Sequence, residues 1–112
     1  MKERKFDFYV GHNDRDTYTS MGNEAERIAL LQSVFEQLAV PFSIVDTKGG
    51  YIHENGTYIH ENGFRITIIG RYSDKRAFRF ARGIKRAFHQ ESILVVMRPV
   101  KASYFPAQEV AL

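Results

Sequence analysis

The chain has 112 residues, of which 44% are hydrophobic and 26% are charged, with a formal net charge of +3. This length suits one domain, and the composition is typical of a globular protein rather than a disordered one. Cysteine is absent, which excludes disulfides and thiolate metal sites. No apolar run approaches the roughly 20 residues that span a bilayer. We therefore predict a single domain over residues 1–112, without a signal peptide and located in the cytoplasm.

The positive charge is concentrated in one part of the chain. Residues 71–101 contain nine basic and two acidic side chains, which gives +7. The other residues contain seven basic and eleven acidic side chains, which gives −4. Such a split predicts a polar partner for one face of the protein and does not determine its fold.

The first part of the chain predicts a strand and then a helix. Residues 5–10 alternate between apolar and polar, as in a half-buried strand. After a polar loop over residues 11–22, Asn23 is the predicted N-cap of a helix with a regular apolar stripe. Pro41 ends this helix, because proline disfavours helical geometry in the residue before it.

The middle of the chain predicts a β-hairpin. Strands are expected at residues 42–47 and 64–69, and the sequence Tyr-Ile-His-Glu-Asn-Gly occurs between them at 51–56 and again at 58–63. Asn55-Gly56 favours a two-residue type I′ turn, which needs positive φ at both positions. Such a turn pairs residues whose numbers sum to 111, so that Ile52 faces Ile59.

This register separates two apolar sets. It places Phe42 and Ile44 on the face opposite to that of the apolar residues of strand 64–69. A single β-bulge, at Gly49-Gly50 or at Asn62-Gly63, would restore one common face. The alternative interpretation makes Asn62-Gly63 the turn and leaves the first copy of the repeat as a loop.

The last part of the chain predicts a second helix and a fourth strand. Ser73 is the expected N-cap, and Ala77, Phe80 and Ile84 begin an apolar stripe at helical spacing. Residues 93–97 form a short apolar run that Pro99 ends, as expected of a strand.

Together these elements predict an α+β fold of β-α-β-β-α-β order, the ferredoxin-like arrangement. It has a four-stranded antiparallel sheet with two helices on one face and a long β-hairpin. The other sheet face would carry apolar side chains, namely Tyr9, Val45, Ile69 and either Leu94 or Val96. A bare apolar face is typical of a partner surface, so we expect a homodimer.

The chain also resembles small ferredoxin-like proteins from bacterial, plasmid and phage genomes. The residues that carry this likeness are Phe8-Tyr9-Val10-Gly11, Asn13-Asp14-Arg15-Asp16-Thr17 and residues 42–50. The resemblance covers most of the chain. It implies the same fold and an origin in a mobile element, but it implies no activity, because this fold hosts many functions.

A basic stripe on the second helix is the first candidate site. Lys75, Arg79, Arg82 and Arg86 fall at i, i+4, i+7 and i+11, and Arg76 and Lys85 flank them. Acidic residues are not interleaved with them, as they are in helices stabilised by surface ion pairs. The pattern therefore favours an anionic macromolecule, either an acidic protein or a nucleic acid. The alternative is a solvated face balanced by acidic residues elsewhere in the chain.

The hairpin is the second candidate site. In the predicted register Tyr51, His53, Tyr58 and His60 share one face. The two histidines would be diagonal neighbours that can reach a shared metal. We favour an aromatic ladder across the strands instead, with stacking of unpaired bases as a third option, and we predict no metal and no cofactor.

The loop after the first strand is the third candidate site. His12, Asp14 and Asp16 could hold a divalent metal for phosphodiester cleavage, as in nucleases of this fold. Asp residues in loops more often serve turns and helix caps. No phosphate loop, Ser-His-Asp pattern, zinc-protease motif or nucleotide fingerprint occurs in the sequence.

The leading functional prediction is a small non-catalytic binding module that uses the basic helix or the open sheet face. A phage or plasmid inhibitor of host defence would be one such protein. The alternatives are a metal-dependent nuclease that uses His12, Asp14 and Asp16, and a nucleic-acid-binding protein.

Overall fold

The computed structural model describes residues 2–13, 22–103 and 105. Its elements in chain order are β1 (Arg4–Gly11), α1 (Glu24–Leu38), β2 (Ser43–Ile52), β3 (Tyr58–Gly70), α2 (Asp74–Ala87) and β4 (Leu94–Pro99). The strands form one antiparallel sheet in the order β2-β3-β1-β4. This is the predicted ferredoxin-like α+β arrangement. No helix in the described part of the chain is long and apolar enough to cross a membrane.

Both helices begin at their predicted N-caps. The Asn23 side chain accepts a hydrogen bond from the Glu26 N–H at 2.9 Å, and the Glu26 carboxylate accepts one from the Asn23 N–H at 3.2 Å. This reciprocal pair is a capping box. Ser73 Oγ accepts a hydrogen bond from the Arg76 N–H at 3.2 Å. These bonds satisfy N–H groups that have no partner inside a helix.

The hydrophobic core lies between one face of the sheet and the two helices. Strands β1 and β3 turn every second side chain toward the helices, which place their apolar stripes against them. The largest fully buried members are Phe6, Phe8, Phe35, Phe64, Phe80, Phe88, Leu31, Ile66, Ile68, Ile84 and Val10. Burial of each such side chain stabilises the fold by roughly 1.5–3 kcal/mol.

The predicted hairpin register is wrong by one residue. Partners on β2 and β3 have numbers that sum to 110 instead of 111, so Tyr51 pairs with Ile59 and Ile52 pairs with Tyr58. The His53 N–H donates to the Thr57 carbonyl at 2.8 Å, which leaves a loop of three residues. Gly56 has a φ of 84°, the left-handed geometry that such a loop needs at its last residue.

The packing of Ile44 against the core explains this register. In the structure Ile44 pairs with Ile66, and both side chains lie on the helix side of the sheet. The predicted pairing would have turned one of them toward solvent. The longer loop makes a β-bulge unnecessary at Gly49-Gly50 or at Asn62-Gly63. The alternative turn at Asn62-Gly63 is also wrong, because Asn62 pairs with Lys48 inside the ladder.

No described helix covers the second face of the sheet. The predicted apolar residues lie there, and Tyr9, Val45, Ile69, Leu94 and Val96 are 37–62% exposed. Asp7 is a buried exception on β1, where its carboxylate accepts a hydrogen bond from Thr67 Oγ1 at 2.6 Å.

Candidate functional site

A cleft of about 530 Å³ lies on the open face, at the hairpin end of the sheet. Gly11, Gly49 and Gly63 are among the residues that line it. Its walls come from the hairpin and from residues 90–94, the segment between α2 and β4. This volume is in the range of small-molecule sites.

The cleft is acidic although the whole chain is basic. Glu54, Glu61 and Glu91 line it, and none of the described residues that line it is a lysine or an arginine. A concave surface that carries carboxylates attracts cations and repels phosphate groups. The cleft therefore suits a small cationic ligand better than a nucleic acid.

Glu61 is the most constrained of these carboxylates. Its Oε2 accepts a hydrogen bond from the backbone N–H of Asn13 at 2.9 Å. The carboxylate lies so close to Gly11 that a Cβ atom at position 11 would overlap it. Burial raises the pKa of Glu61 above its usual value, and the hydrogen bond from Asn13 partly opposes this shift.

The loop after β1 is hydrogen-bonded to the segment that follows α2. Gln90 is only 7% exposed, and its Nε2 donates to the carbonyl oxygens of Asn13 at 2.7 Å and of Phe88 at 3.0 Å. Asn13 Nδ2 also lies 3.5 Å from the carbonyl oxygen of His60. The wall of the cleft therefore joins three segments that are far apart in the sequence.

Two tyrosines offer aromatic surface to the cleft. Tyr9 on β1 and Tyr51 on β2 both line it, and each is 37% exposed. Aromatic faces attract cations and stack on heterocyclic rings. Together with the carboxylates, they suit a ligand that combines positive charge with a planar ring system.

The predicted aromatic face of the hairpin does not form. In the observed register Tyr51 lies on the same side of the ladder as Glu61, whereas Tyr58 and His60 lie on the opposite side. The Tyr58 and His60 rings meet edge to face, with centroids 5.0 Å apart. His53 is in the turn and lines the cleft. The prediction failed because a one-residue change of register moves a side chain to the other face.

His12 lies on the core side of the sheet. It is 5% exposed, its ring contacts Phe64 edge to face at 4.4 Å, and its Nε2 has no hydrogen-bond partner. Burial lowers the pKa of His12, and the nearby positive charge of Arg27 lowers it further. The negative charge of Asp46 raises this pKa and so partly offsets the other two effects. The other predicted metal ligands of this loop, Asp14 and Asp16, lie outside the described residues.

The described residues contain no cluster of three or more His, Cys, Asp or Glu side chains placed to hold a metal. His53 and His60, which the sequence had placed as possible ligands on the hairpin, are among the described residues and belong to no such cluster. Asp14 and Asp16 are not among those residues, so a metal site in the loop after β1 stays a prediction.

The basic residues of α2 lie on the face that points away from the core. Five of them make no ion pair with any carboxylate in the described part of the chain, namely Lys75, Arg79, Arg82, Lys85 and Arg86. Arg76 instead lies over the rings of Tyr72 and Phe80, 5.2 and 5.7 Å from their centroids. This basic stripe and the acidic cleft are on opposite sides of the molecule.

Reasoning from the sequence missed Glu61, Asn13 and Gln90. Each is a single polar residue without a recognisable motif around it, and Glu61 belongs to the second copy of the repeat. One pattern was available in the sequence: Gly11 ends the first strand, and Gly63 lies at the start of the third apolar run. These two glycines pair in the β1–β3 ladder, and the absence of a side chain at Gly11 leaves the space that the Glu61 carboxylate occupies.

Solved structures of phage proteins share this fold. A phage SAM lyase in complex with S-methyl-5′-thioadenosine matches with a TM-score of 0.65 and 21% identity, over 87% of this chain and 81% of that chain. A phage SAM lyase in the apo state matches with a TM-score of 0.64 and 17% identity, over 92% of each chain. No protein-family model matches the sequence. No curated protein matches it either.

These matches contradict the prediction of a non-catalytic binding module. The two phage proteins named above, which share the fold over most of the chain, are lyases, and lyases are enzymes. At 17–21% identity the likeness establishes the fold, and the chemistry depends on the residues of the cleft.

Proposed function

We propose that the protein is a lyase that cleaves S-adenosylmethionine (SAM) and releases S-methyl-5′-thioadenosine. The observation that carries this proposal is the acidic, tyrosine-lined cleft, on a chain that shares its fold with phage SAM lyases. SAM has a positive sulfonium, a positive α-ammonium and a negative carboxylate, so it is a cation. Glu54, Glu61 and Glu91 complement this charge.

The proposed reaction uses a nucleophile that the substrate itself supplies. The α-carboxylate of SAM attacks its own Cγ, which forms a C–O bond and breaks the Cγ–S bond. The electron pair of the broken bond stays on sulfur and neutralises the sulfonium. The products are the neutral thioether S-methyl-5′-thioadenosine and homoserine lactone with its ammonium group, so atoms and charge balance. The protein accelerates this step by holding the substrate in the reactive conformation.

The distribution of charge in the cleft favours this route. The described lining contains no lysine or arginine that would pair with the substrate carboxylate, so that carboxylate stays free to attack. We assign Glu61 to the α-ammonium, which keeps its charge throughout the reaction. A carboxylate fixed beside the sulfonium would stabilise the substrate more than the transition state, because the charge on sulfur disappears. Tyr9 and Tyr51 would stack on the adenosyl group.

The proposal agrees with the mobile-element origin that the sequence resemblance implied, since the two SAM lyases named above come from phages. An enzyme that consumes SAM withdraws a cosubstrate from every SAM-dependent enzyme of the host cell. This is a means by which a phage protein acts against host defence. It also requires the enzyme to work in the cytoplasm, where that metabolite is used.

The test is to incubate the purified protein with SAM and quantify S-methyl-5′-thioadenosine and homoserine lactone by chromatography and mass spectrometry. We expect both products in equal amounts, at a rate far above that without protein. Decarboxylated SAM, which lacks the attacking carboxylate, should remain intact. Glu61→Gln should raise KM for SAM about ten-fold or more with a smaller effect on kcat. Product formation no faster than in buffer would refute the proposal.

A further inference from the structure

The C-terminal end of α2 fixes Gln90 beside the cleft. The N–H of Gln90 donates to the Lys85 carbonyl at 3.0 Å, and the N–H of His89 donates to the Arg86 carbonyl at 3.3 Å. His89 has a φ of 50°, so a non-glycine residue holds the left-handed position of this Schellman motif. That conformation costs about 1–2 kcal/mol, which the surrounding contacts offset.

The Gln90 side chain then fixes Asn13. Its amide donates to the Phe88 carbonyl, which belongs to the α2 terminus, and to the Asn13 carbonyl, which belongs to the loop after β1. Because Gln90 is buried, these bonds exchange little with water. The backbone N–H of Asn13 donates to the carboxylate of Glu61.

We propose that Gln90 is a positioning residue for Glu61, acting through the backbone of Asn13. One buried amide holds the carbonyl group of Asn13 in place, and the N–H of the same residue, which belongs to the preceding peptide unit, donates to the carboxylate that faces the cleft. Gln90 does not touch the reacting atoms, so its effect reaches the ligand only through Glu61. Its kinetic consequence rests on the proposed SAM cleavage, whereas the link between the three residues does not.

Loss of the Gln90 bond has a defined electrostatic consequence. A hydrogen bond from a backbone N–H favours the charged form of a carboxyl group, so its loss favours the protonated form. Other titratable groups that face the cleft are Tyr9, Tyr51, His53, Glu54 and Glu91. Their titration has to be distinguished from that of Glu61, which a residue-specific measurement does.

The first experiment follows the Glu61 carboxyl carbon by NMR in the unliganded full chain over a range of pH. Gln90→Met keeps a side chain of similar size but cannot donate, and we expect its Glu61 pKa to lie above that of the unmodified protein. Gln37→Met is the matched control, because it makes the same chemical change at an exposed position of α1 away from the cleft and should leave the Glu61 pKa unchanged. An unchanged pKa in Gln90→Met would overturn the proposal. If that variant does not fold, Gln90→Asn, whose shorter amide cannot reach Asn13, gives the same comparison.

The second experiment measures SAM cleavage against pH. In Gln90→Met we expect KM to rise about ten-fold, with a smaller change in kcat, and the acid limb of kcat/KM to move to higher pH. A purely structural role would lower the amount of folded enzyme without moving that limb, and this result would overturn the proposal. If the unmodified protein does not cleave SAM, the NMR comparison still decides the role of Gln90, so the two proposals can fail separately.

Discussion

Gly11 on β1 and Glu61 on β3 are complementary in shape: the carboxylate of Glu61 occupies the space that a side chain at position 11 would fill. Gly11→Ala should therefore displace the carboxylate and raise KM for SAM about ten-fold. The free energy of unfolding should change by less than about 1 kcal/mol, because the displaced atoms are at the end of a flexible side chain. Steady-state kinetics and urea denaturation measure the two effects.

Gly63→Ala provides the contrast for this prediction. A Cβ at position 63 would overlap the carbonyl oxygen of Val10, which is backbone and cannot turn away. We therefore expect a loss of roughly 2 kcal/mol or more in the free energy of unfolding. Equal stability of the two alanine variants, or an unchanged KM in Gly11→Ala, would contradict the assigned role of Gly11.

The pH dependence of SAM binding should report the environment of Glu61. Burial raises the pKa of Glu61, and only its ionised form attracts the substrate cation. As pH falls, the affinity should therefore decline at a pH above that expected for an ordinary glutamate. In Glu61→Gln the affinity should be weak throughout and this acid limb should be absent. Isothermal titration with S-methyl-5′-thioadenosine, which is uncharged, should show little of the same pH dependence.

The ionised side chain of Glu61 should also destabilise the folded protein. A carboxyl group whose pKa is raised in the folded state binds protons more readily there than in the unfolded chain, so its contribution to stability falls as pH rises through this range. Glu61→Gln removes the partly buried charge, and the thermal midpoint at pH 7 should rise while SAM cleavage declines. A lower midpoint would show that the Asn13 hydrogen bond outweighs the cost of burial.

His12 should make the fold sensitive to acid. Its pKa is lowered in the folded state, so the unfolded chain takes up a proton first and stability is lost as pH falls below about 6.5. His12→Phe keeps an aromatic ring against Phe64 and removes the titrating group. The loss of stability at acid pH should therefore be smaller in this variant. At pH 7 the free energy of unfolding should change by less than about 1 kcal/mol. His60→Phe, on the exposed hairpin, should lose stability at acid pH as much as the unmodified protein does.

The open sheet face should mediate self-association. A dimer of standard size buries about 1,600 Å² in total, and this face carries exposed apolar side chains. We expect Ile69→Lys combined with Val96→Lys to reduce the mass measured by light scattering to that of one chain. Phe78→Lys changes an equally exposed apolar residue on α2, away from that face, and should leave the mass unchanged. A monomeric unmodified protein would refute this expectation.

The basic stripe of α2 should bind an anionic macromolecule independently of SAM cleavage. Binding to heparin or to an oligonucleotide should weaken with salt, with a log–log slope of about 0.9 for each phosphate contact on duplex DNA. Arg79→Glu combined with Arg82→Glu should abolish this binding. SAM cleavage should not change, because the stripe lies on the side opposite to the cleft. If the unmodified protein binds no polyanion at low salt, the stripe is only a solvated face.

The sequence by itself determined the elements and their faces. The N-caps at Asn23 and Ser73 depend on hydrogen bonds between residues three positions apart, and the apolar stripes depend on periods of 3.6 and 2. Such interactions are local, so the chain order and the ferredoxin-like fold follow from them. The same reasoning identified the open face that carries Tyr9 and Leu94.

Only the tertiary structure decided the hairpin register and the cleft. The turn at Asn55-Gly56 is compatible with two loop lengths, and the packing of Ile44 against the core, opposite Ile66, selected the longer one. The contact between Asn13 and Glu61 spans 48 positions, and that between Asn13 and Gln90 spans 77. No periodicity encodes such pairs, because they meet only when packing brings β1, the hairpin and the end of α2 together.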